Sequence, residues 1–133
     1  MTSPKTIVVT AAVMQRDGRF LIAQRRSDKA LGGLWEFPGG KLELGESLEE
    51  CLGRELREEF EIEARIGEFL LEHTHDYGSA VIKLMVYKVE HVSGEFKLSE
   101  HDAILWLGLN ELEAYQFSPA DYPIIAHLKS LEK

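Results

Sequence analysis

Residues Gly39–Ile62 read GGKLELGESLEECLGRELREEFEI, and this stretch decides the fold. It opens on a glycine pair, where the backbone can approach a ligand closely, and then runs into a helix rich in glutamate. Ser47 followed three residues later by Glu50 forms a capping box, so the helix starts at Ser47. Between Glu36 and Glu61 lie nine acids against three bases, Lys41, Arg54 and Arg57, so most of the net charge of −8 is concentrated here.

The direction of the acids separates chemistry from a solvated face. At about 100° per residue from Leu48, Leu52 and Leu56 define an apolar stripe with Cys51 at its edge. Glu55 falls near ~340° and Glu59 near ~20°, inside that stripe, with Glu58 and Glu49 at its margins and Glu50 and Arg57 outward. Carboxylates on a face that should be packed are costly unless a cation meets them. A salt-bridged surface helix accounts for Glu49, Glu50 and Arg57 and leaves Glu55 and Glu59 unexplained. A divalent ion is the simplest partner, because hard Mg²⁺ or Mn²⁺ prefers carboxylate oxygens and keeps waters and substrate phosphates as its other ligands.

Gly40, Glu46, and the run Arg54-Glu55-Leu56-Arg57-Glu58-Glu59-Phe60 with Ile62 resemble the Nudix box, GX5EX7REUXEEXGU with U apolar. One position departs: Glu61 stands where the box has its penultimate glycine. That glycine ends the helix in the family, so the chain must either place Glu61 in a strained left-handed cap or leave the helix by another route. The resemblance implies an α/β chain with the Nudix fold, an α/β/α sandwich around a mixed β-sheet, covering residues 1–133 as a single domain. It further implies Glu55, Glu58 and Glu59 as metal ligands beside the Gly39 or Gly40 backbone, with Glu46 and Arg54 orienting the cluster. Glu100 matches in spacing a further carboxylate brought to the metal or the water, and reads equally well as a solvated loop acid. The general base stays open among Glu55, Glu58 and Glu100.

Working outward, Ile7–Met14 and Phe20–Gln24 are apolar runs joined by Asp17-Gly18, a hairpin turn signal. Leu34–Pro38 reads as a short strand after a polar loop. Ala64–His73 and Ala80–Val92 are long strand candidates on either side of Asp76–Ser79, with a turn at Ser93-Gly94 and a further strand at Ala103–Leu107. Asn110 with Glu113 suggests a cap for a short helix. Ser118–Asp121 opens a final amphipathic helix, and Pro123, tolerated only in a first turn, moves its regular part toward Asp121. His73 and His75 share a strand face without an adjacent third ligand and read as a polar face. Gly53 inside the helix suggests close packing there.

At 133 residues, 44% hydrophobic and 29% charged, the chain has ordinary globular composition. MTSPKTIVV has no long apolar run behind a basic flank, so neither a signal peptide nor a membrane span is expected, and the cytoplasm is the default. The single Cys51 cannot form an internal disulfide and suits a reducing compartment. Acidity argues against a nucleic-acid partner, although a nucleoside triphosphate can bind once metal neutralises its phosphates. Monomer and homodimer are both compatible with the sequence.

LWEFPGGK, WLGLNEL and FSPADYPII are similar to the MutT branch, which contains 8-oxo-dGTP diphosphatases and CTP or methylated-pyrimidine pyrophosphohydrolases. The implied reaction is hydrolysis of a nucleoside triphosphate to monophosphate and pyrophosphate, with 8-oxo-dGTP and other modified dNTPs the expected substrates and CTP or 5-methyl-dCTP the alternative. Nucleotide sugars and dinucleoside polyphosphates, or a non-catalytic nucleotide- or RNA-binding role, are the remaining readings. By the same resemblance Arg25 contacts phosphate or sugar and Phe37 lines the base pocket; Lys41, one residue past the glycine pair, is a further phosphate-contact candidate by its position alone. Asp121 stands where guanine-preferring MutT has Asn; an ionised Asp only accepts hydrogen bonds, which suits an exocyclic amino group. Its alternative role is a helix-capping acid.

Overall fold

The computed structural model describes residues 5–132. The reading of residues 1–4 as free of a leader lies outside them. β1 (Lys5–Arg16) and β2 (Arg19–Arg25) form the expected hairpin, pairing Gln15 with Phe20 and Arg16 with Arg19. Asp17 at φ 52 and Gly18 at φ 77 supply the two positive values that a type I′ turn requires.

β1 is the organising strand. On one side it runs parallel to β6 (Ala80–Ser93), from Lys5 opposite Ala80 to Met14 opposite Val89, and β6 pairs antiparallel with β5 (Glu63–Asp76). On the other side β1 pairs with β2 at the hairpin and with β4 (Gly39–Lys41) further along, and β2 in turn pairs with β3 (Trp35–Glu36) and β7 (His101–Leu107). The sheet is therefore mixed. Its central strands carry apolar residues on both faces, as burial on both faces demands.

Alternation along β1 and β2 sorts these residues into two cores. Ala12, Met14, Leu21 and Ala23 meet Leu52, Leu56 and Phe60 of α1 (Leu48–Phe60). Ala11, Val13, Phe20 and Ile22 meet Leu112, Ile124, Ile125 and Leu128, the last three from α2 (Tyr122–Ser130). The result is an α/β/α sandwich. Among the described residues no helix is long and apolar enough to cross a membrane.

Local chemistry sets the helix ends. Ser47 Oγ accepts from Glu50 N at 3.1 Å and Glu50 Oε1 accepts from Ser47 N at 2.8 Å, closing the capping box. At the other end Glu61 adopts φ 57, ψ 38 and donates its N–H to Arg57 O, so the left-handed cap is kept without glycine. Two sequence expectations are corrected. The cap of the short helix is not Asn110 with Glu113: Gly108 N donates to Glu111 Oε1 at 2.8 Å, because Leu109–Ala114 is a 3-10 helix whose cap lies two residues earlier. Gly53 is not required by packing, since a Cβ there would meet only Arg57 NH1 at 3.6 Å.

Both glycine anomalies are testable. Gly53→Ala lowers the backbone entropy of the unfolded chain at no steric cost, and Glu61→Gly relieves a left-handed β-carbon. Each is expected to stabilise the protein by about 0.5–1 kcal/mol in chemical denaturation; a destabilisation at either position would contradict this account.

Candidate active site

A cleft of about 540 Å³ opens at the junction of β1, β4 and α1, and Arg25, Phe37, Gly39, Gly40, Lys41, Glu55, Glu58, Glu59, Glu100 and Asp121 all line it. Glu46 and Arg54 stand behind the wall. The two glycines make the close approach possible. A Cβ on Gly39 would lie 1.9 Å from Thr10 O, blocking the β4–β1 pairing, and one on Gly40 would lie 2.2 Å from the Glu55 carboxyl carbon.

On α1, Glu59 is buried and the Glu55 side chain is only 15% exposed, whereas Glu58 is 59% exposed. Arg54 organises them. Its Nε and NH2 grip Glu46 bidentately at 2.6 and 3.0 Å, NH1 reaches Glu55 at 2.9 Å and Glu58 at 3.3 Å, and NH2 also donates to Lys41 O at 3.0 Å. A planar guanidinium is suited to such a fork. The same contact holds the Glu46 carboxyl down at about 2.

Glu59 has no such partner, and its Oε1 is buried without a hydrogen bond. Burial, and then the neighbouring Glu55, Glu36 and Glu100, push its carboxyl far above the ordinary range. Among the described residues no three acidic, histidine or cysteine side chains already converge on one point. The donor set still suits a hard divalent cation: carboxylates crowded on one helix face, an orphaned buried oxygen, and a glycine cradle beside Glu55.

Sequence reasoning passed over Glu36 and His101. Glu36 Oε1 accepts from Arg25 NH1 at 3.0 Å and its Oε2 accepts from His101 Nε2 at 2.8 Å, while His101 Nε2 lies 3.8 Å from Glu59 Oε1. The available signal was alternation: an acid between Trp35 and Phe37 in a strand must face the opposite way from those aromatics. Glu36 pairs with Ala23, and His101 stands opposite Arg25 in the β2–β7 ladder.

The substrate-side residues take distinct positions. Phe37 is buried and stacks on Phe117 with ring centroids 5.9 Å apart. Lys41 reaches the cleft from β4, and Glu100 is held at the rim by Lys29 at 3.2 Å. Asp121 precedes α2 but makes no capping bond with its side chain; Oδ2 instead accepts from Phe37 N at 2.8 Å. Complete burial, reinforced by Glu36, pushes its carboxyl from 3.8 to about 8. Burial thus favours the neutral carboxyl, which carries a donor as well as an acceptor, whereas the ionised form of the sequence argument only accepts. His73 and His75 stand opposite Leu84 and Ile82 on β6, with rings 6.0 Å apart.

A family model described as NUDIX domain matches residues 9–127. The CTP pyrophosphohydrolase of Escherichia coli is 40% identical over 127 residues, 96% of this chain and 94% of that protein. The 8-oxo-dGTP diphosphatase of the same organism is 32% identical over 127 residues, 96% and 98% respectively. Among solved structures, the E. coli ORF135 protein superposes with a TM-score of 0.86 at 40% identity, covering 96% of this chain and 91% of that one. The MutT protein of Methanosarcina mazei gives 0.87 at 25% identity over the whole of both chains.

The buried Asp121 generates a pH prediction. Its folded carboxyl titrates near 8 and the ordinary value is 3.8, so the folded state holds the extra proton between these values. Its contribution to stability is complete below the lower value and is lost as pH rises through the upper one. Asp121→Asn should therefore flatten the fall in denaturation midpoint between about pH 5 and 8; an unchanged slope would show that the group ionises normally.

Proposed function

The chain belongs to the NUDIX family, and from that premise we propose that it is a divalent-metal-dependent nucleoside triphosphate pyrophosphohydrolase, converting triphosphate and water to monophosphate and pyrophosphate. The observation that carries this reading is the inner face of α1, where Glu55, Glu58 and Glu59 border a cleft that also presents Arg25 and Lys41. Phosphoryl transfer asks for positioning and charge neutralisation more than covalent chemistry, which this residue set supplies.

Glu55, Glu58 and Glu59 would hold the metal, Mg²⁺ or Mn²⁺, with the Gly39–Gly40 backbone beside them and Glu100 within reach of the rim. When bound, the metal supplies charge neutralisation at the phosphates and lowers the pKa of an attacking water. Arg54, itself held by Glu46, keeps Glu55 and Glu58 apart and aimed into the cleft. Arg25 and Lys41 face the phosphates, and the buried Phe37 forms the wall against which the base lies. Of the three candidate bases, Glu58 is the most open and Glu100 must leave Lys29 to act.

For the base we place cytosine first, because the CTP pyrophosphohydrolase shares 40% identity against 32% for the 8-oxo-dGTP diphosphatase. Neutral Asp121 favours 8-oxo-dGTP as the second reading, since like Asn it can donate and accept. The free thiol of Cys51 supports a reducing compartment such as the cytoplasm.

Pyrophosphate release with Mg²⁺ across CTP, 5-methyl-dCTP, dGTP, 8-oxo-dGTP, ADP-ribose and diadenosine tetraphosphate tests the assignment. Turnover of a triphosphate ahead of the last two compounds is expected, and no turnover of any would refute an enzymatic role. Glu58→Gln and Glu55→Gln should each lower kcat by about 10²-fold or more, the scale of removing one preorganised electrostatic contact. Undiminished activity would remove these residues from the metal site.

A further inference from the structure

Arg25, Glu36 and His101 form a hydrogen-bonded chain along the cleft, and Glu59 stands beside its end, with Oε1 3.8 Å from His101 Nε2 and no hydrogen bond between them. Glu36, its side chain 15% exposed, spends one oxygen on each neighbour: Oε1 on Arg25 and Oε2 on His101. His101 is 3% exposed and fixed twice, by its register opposite Arg25 and by stacking on Phe60, with centroids 5.1 Å apart and planes at 9°. Phe60 follows Glu59 in α1, so the imidazole sets where the end of that helix sits relative to β7. With Nε2–H given to Glu36, the ring stands as an edge between two carboxylates, Glu36 at 2.8 Å and Glu59 at 3.8 Å, which would otherwise face each other in a buried space.

We propose that Glu36 and His101 are positioning residues that hold the substrate-facing Arg25 and the metal-facing Glu59 in register, so that nucleotide and metal binding in the cleft are coupled through their contacts. The proposal rests on the pyrophosphohydrolase reading of the cleft. Both residues line the cleft, and in this scheme they act through Arg25 and Glu59 rather than on the substrate. Arg25 is aimed by Glu36, Glu36 is oriented by His101, and His101 wedged on Phe60 fixes the approach of Glu59. Outer partners that aim a ligating carboxylate typically govern metal affinity by about 10–100-fold. Here the same partner also governs the arginine.

Binding measurements separate this from a merely structural role. CMP and 8-oxo-dGMP affinities are taken by calorimetry without metal, and Mn²⁺ affinity by electron paramagnetic resonance without nucleotide, on wild type, His101→Leu, His101→Gln, Arg25→Ala and the Arg25→Ala/His101→Leu double variant. His101→Leu is expected to weaken both Mn²⁺ and monophosphate binding by about tenfold. His101→Gln, whose amide can still donate to Glu36, should restore both to within about twofold, as expected where the donor rather than the ring is what matters. In the Arg25→Ala background His101→Leu should cost no further nucleotide affinity while still weakening Mn²⁺, the non-additivity of groups acting in series.

An effect confined to one ligand, equal losses in the Leu and Gln variants, or full additivity with Arg25→Ala would each overturn the coupling. Should the leucine variant fail to fold, Glu36→Gln carries the test, because its amide turns a donor toward His101 while keeping an acceptor for Arg25. Weakened Mn²⁺ binding is then expected, and unchanged Mn²⁺ binding overturns the proposal. Wild-type turnover on triphosphates is measured alongside. Coupling without turnover would remove the reaction and leave the coupling, turnover without coupling the reverse, and absence of nucleotide binding by the wild type would remove both.

Discussion

The guanidinium of Arg54 is the contact on which the cleft depends. It meets Glu46, Glu55 and Glu58 and the carbonyl of Lys41 together, joining the loop before α1, the helix itself and the short strand β4. Three carboxylates that close would repel one another without a cation between them, and they would swing toward solvent rather than toward β4. Arg54 lets the helix keep acids on a face that also packs Leu52 and Leu56 into the core. Glu59, outside its reach, has a buried oxygen without a hydrogen-bond partner among the described residues.

The sheet supplies the second constraint. β1 pairs with β6 along ten positions and with β4 along three, so Gly39 is held against Thr10 and Ala11, and Gly40 against the Glu55 carboxyl, at distances no side chain would allow. This places the α1 acids over the end of β4 and turns the face bearing Val9, Ala11 and Leu84 into the other wall of the same cleft. Function and fold share these residues.

Local features were readable in the chain because they depend on neighbours a few residues apart. The capping box at Ser47, the Asp17-Gly18 turn and the start of α2 next to Asp121 all follow from short-range hydrogen bonding and backbone freedom. The inward turn of Glu55 and Glu59 follows from a period of 3.6. Where short-range signals competed, the sequence misled: Glu111 was the better partner for the free N–H of Gly108, and Asn110–Glu113 was chosen on pattern alone. Gly53 suggested close packing, yet the space beside it is open.

Sequence alone determined the acid-bearing helix and the glycine pair before it, which are written in residue spacing, and the resemblance they carry implied the sandwich class and a metal-dependent hydrolase. Only the tertiary structure decided the surroundings of Asp121, whose burial, reinforced by Glu36, raises its carboxyl pKa, and the partnership of Glu36 with His101 across 65 positions of chain. It also decided that Lys29 holds Glu100 at the rim. These depend on register between distant strands and on removal from water, and neither can be read from the order of residues. The reacting face of the cleft is a local property of one helix; what aims it is the packing of the whole sheet.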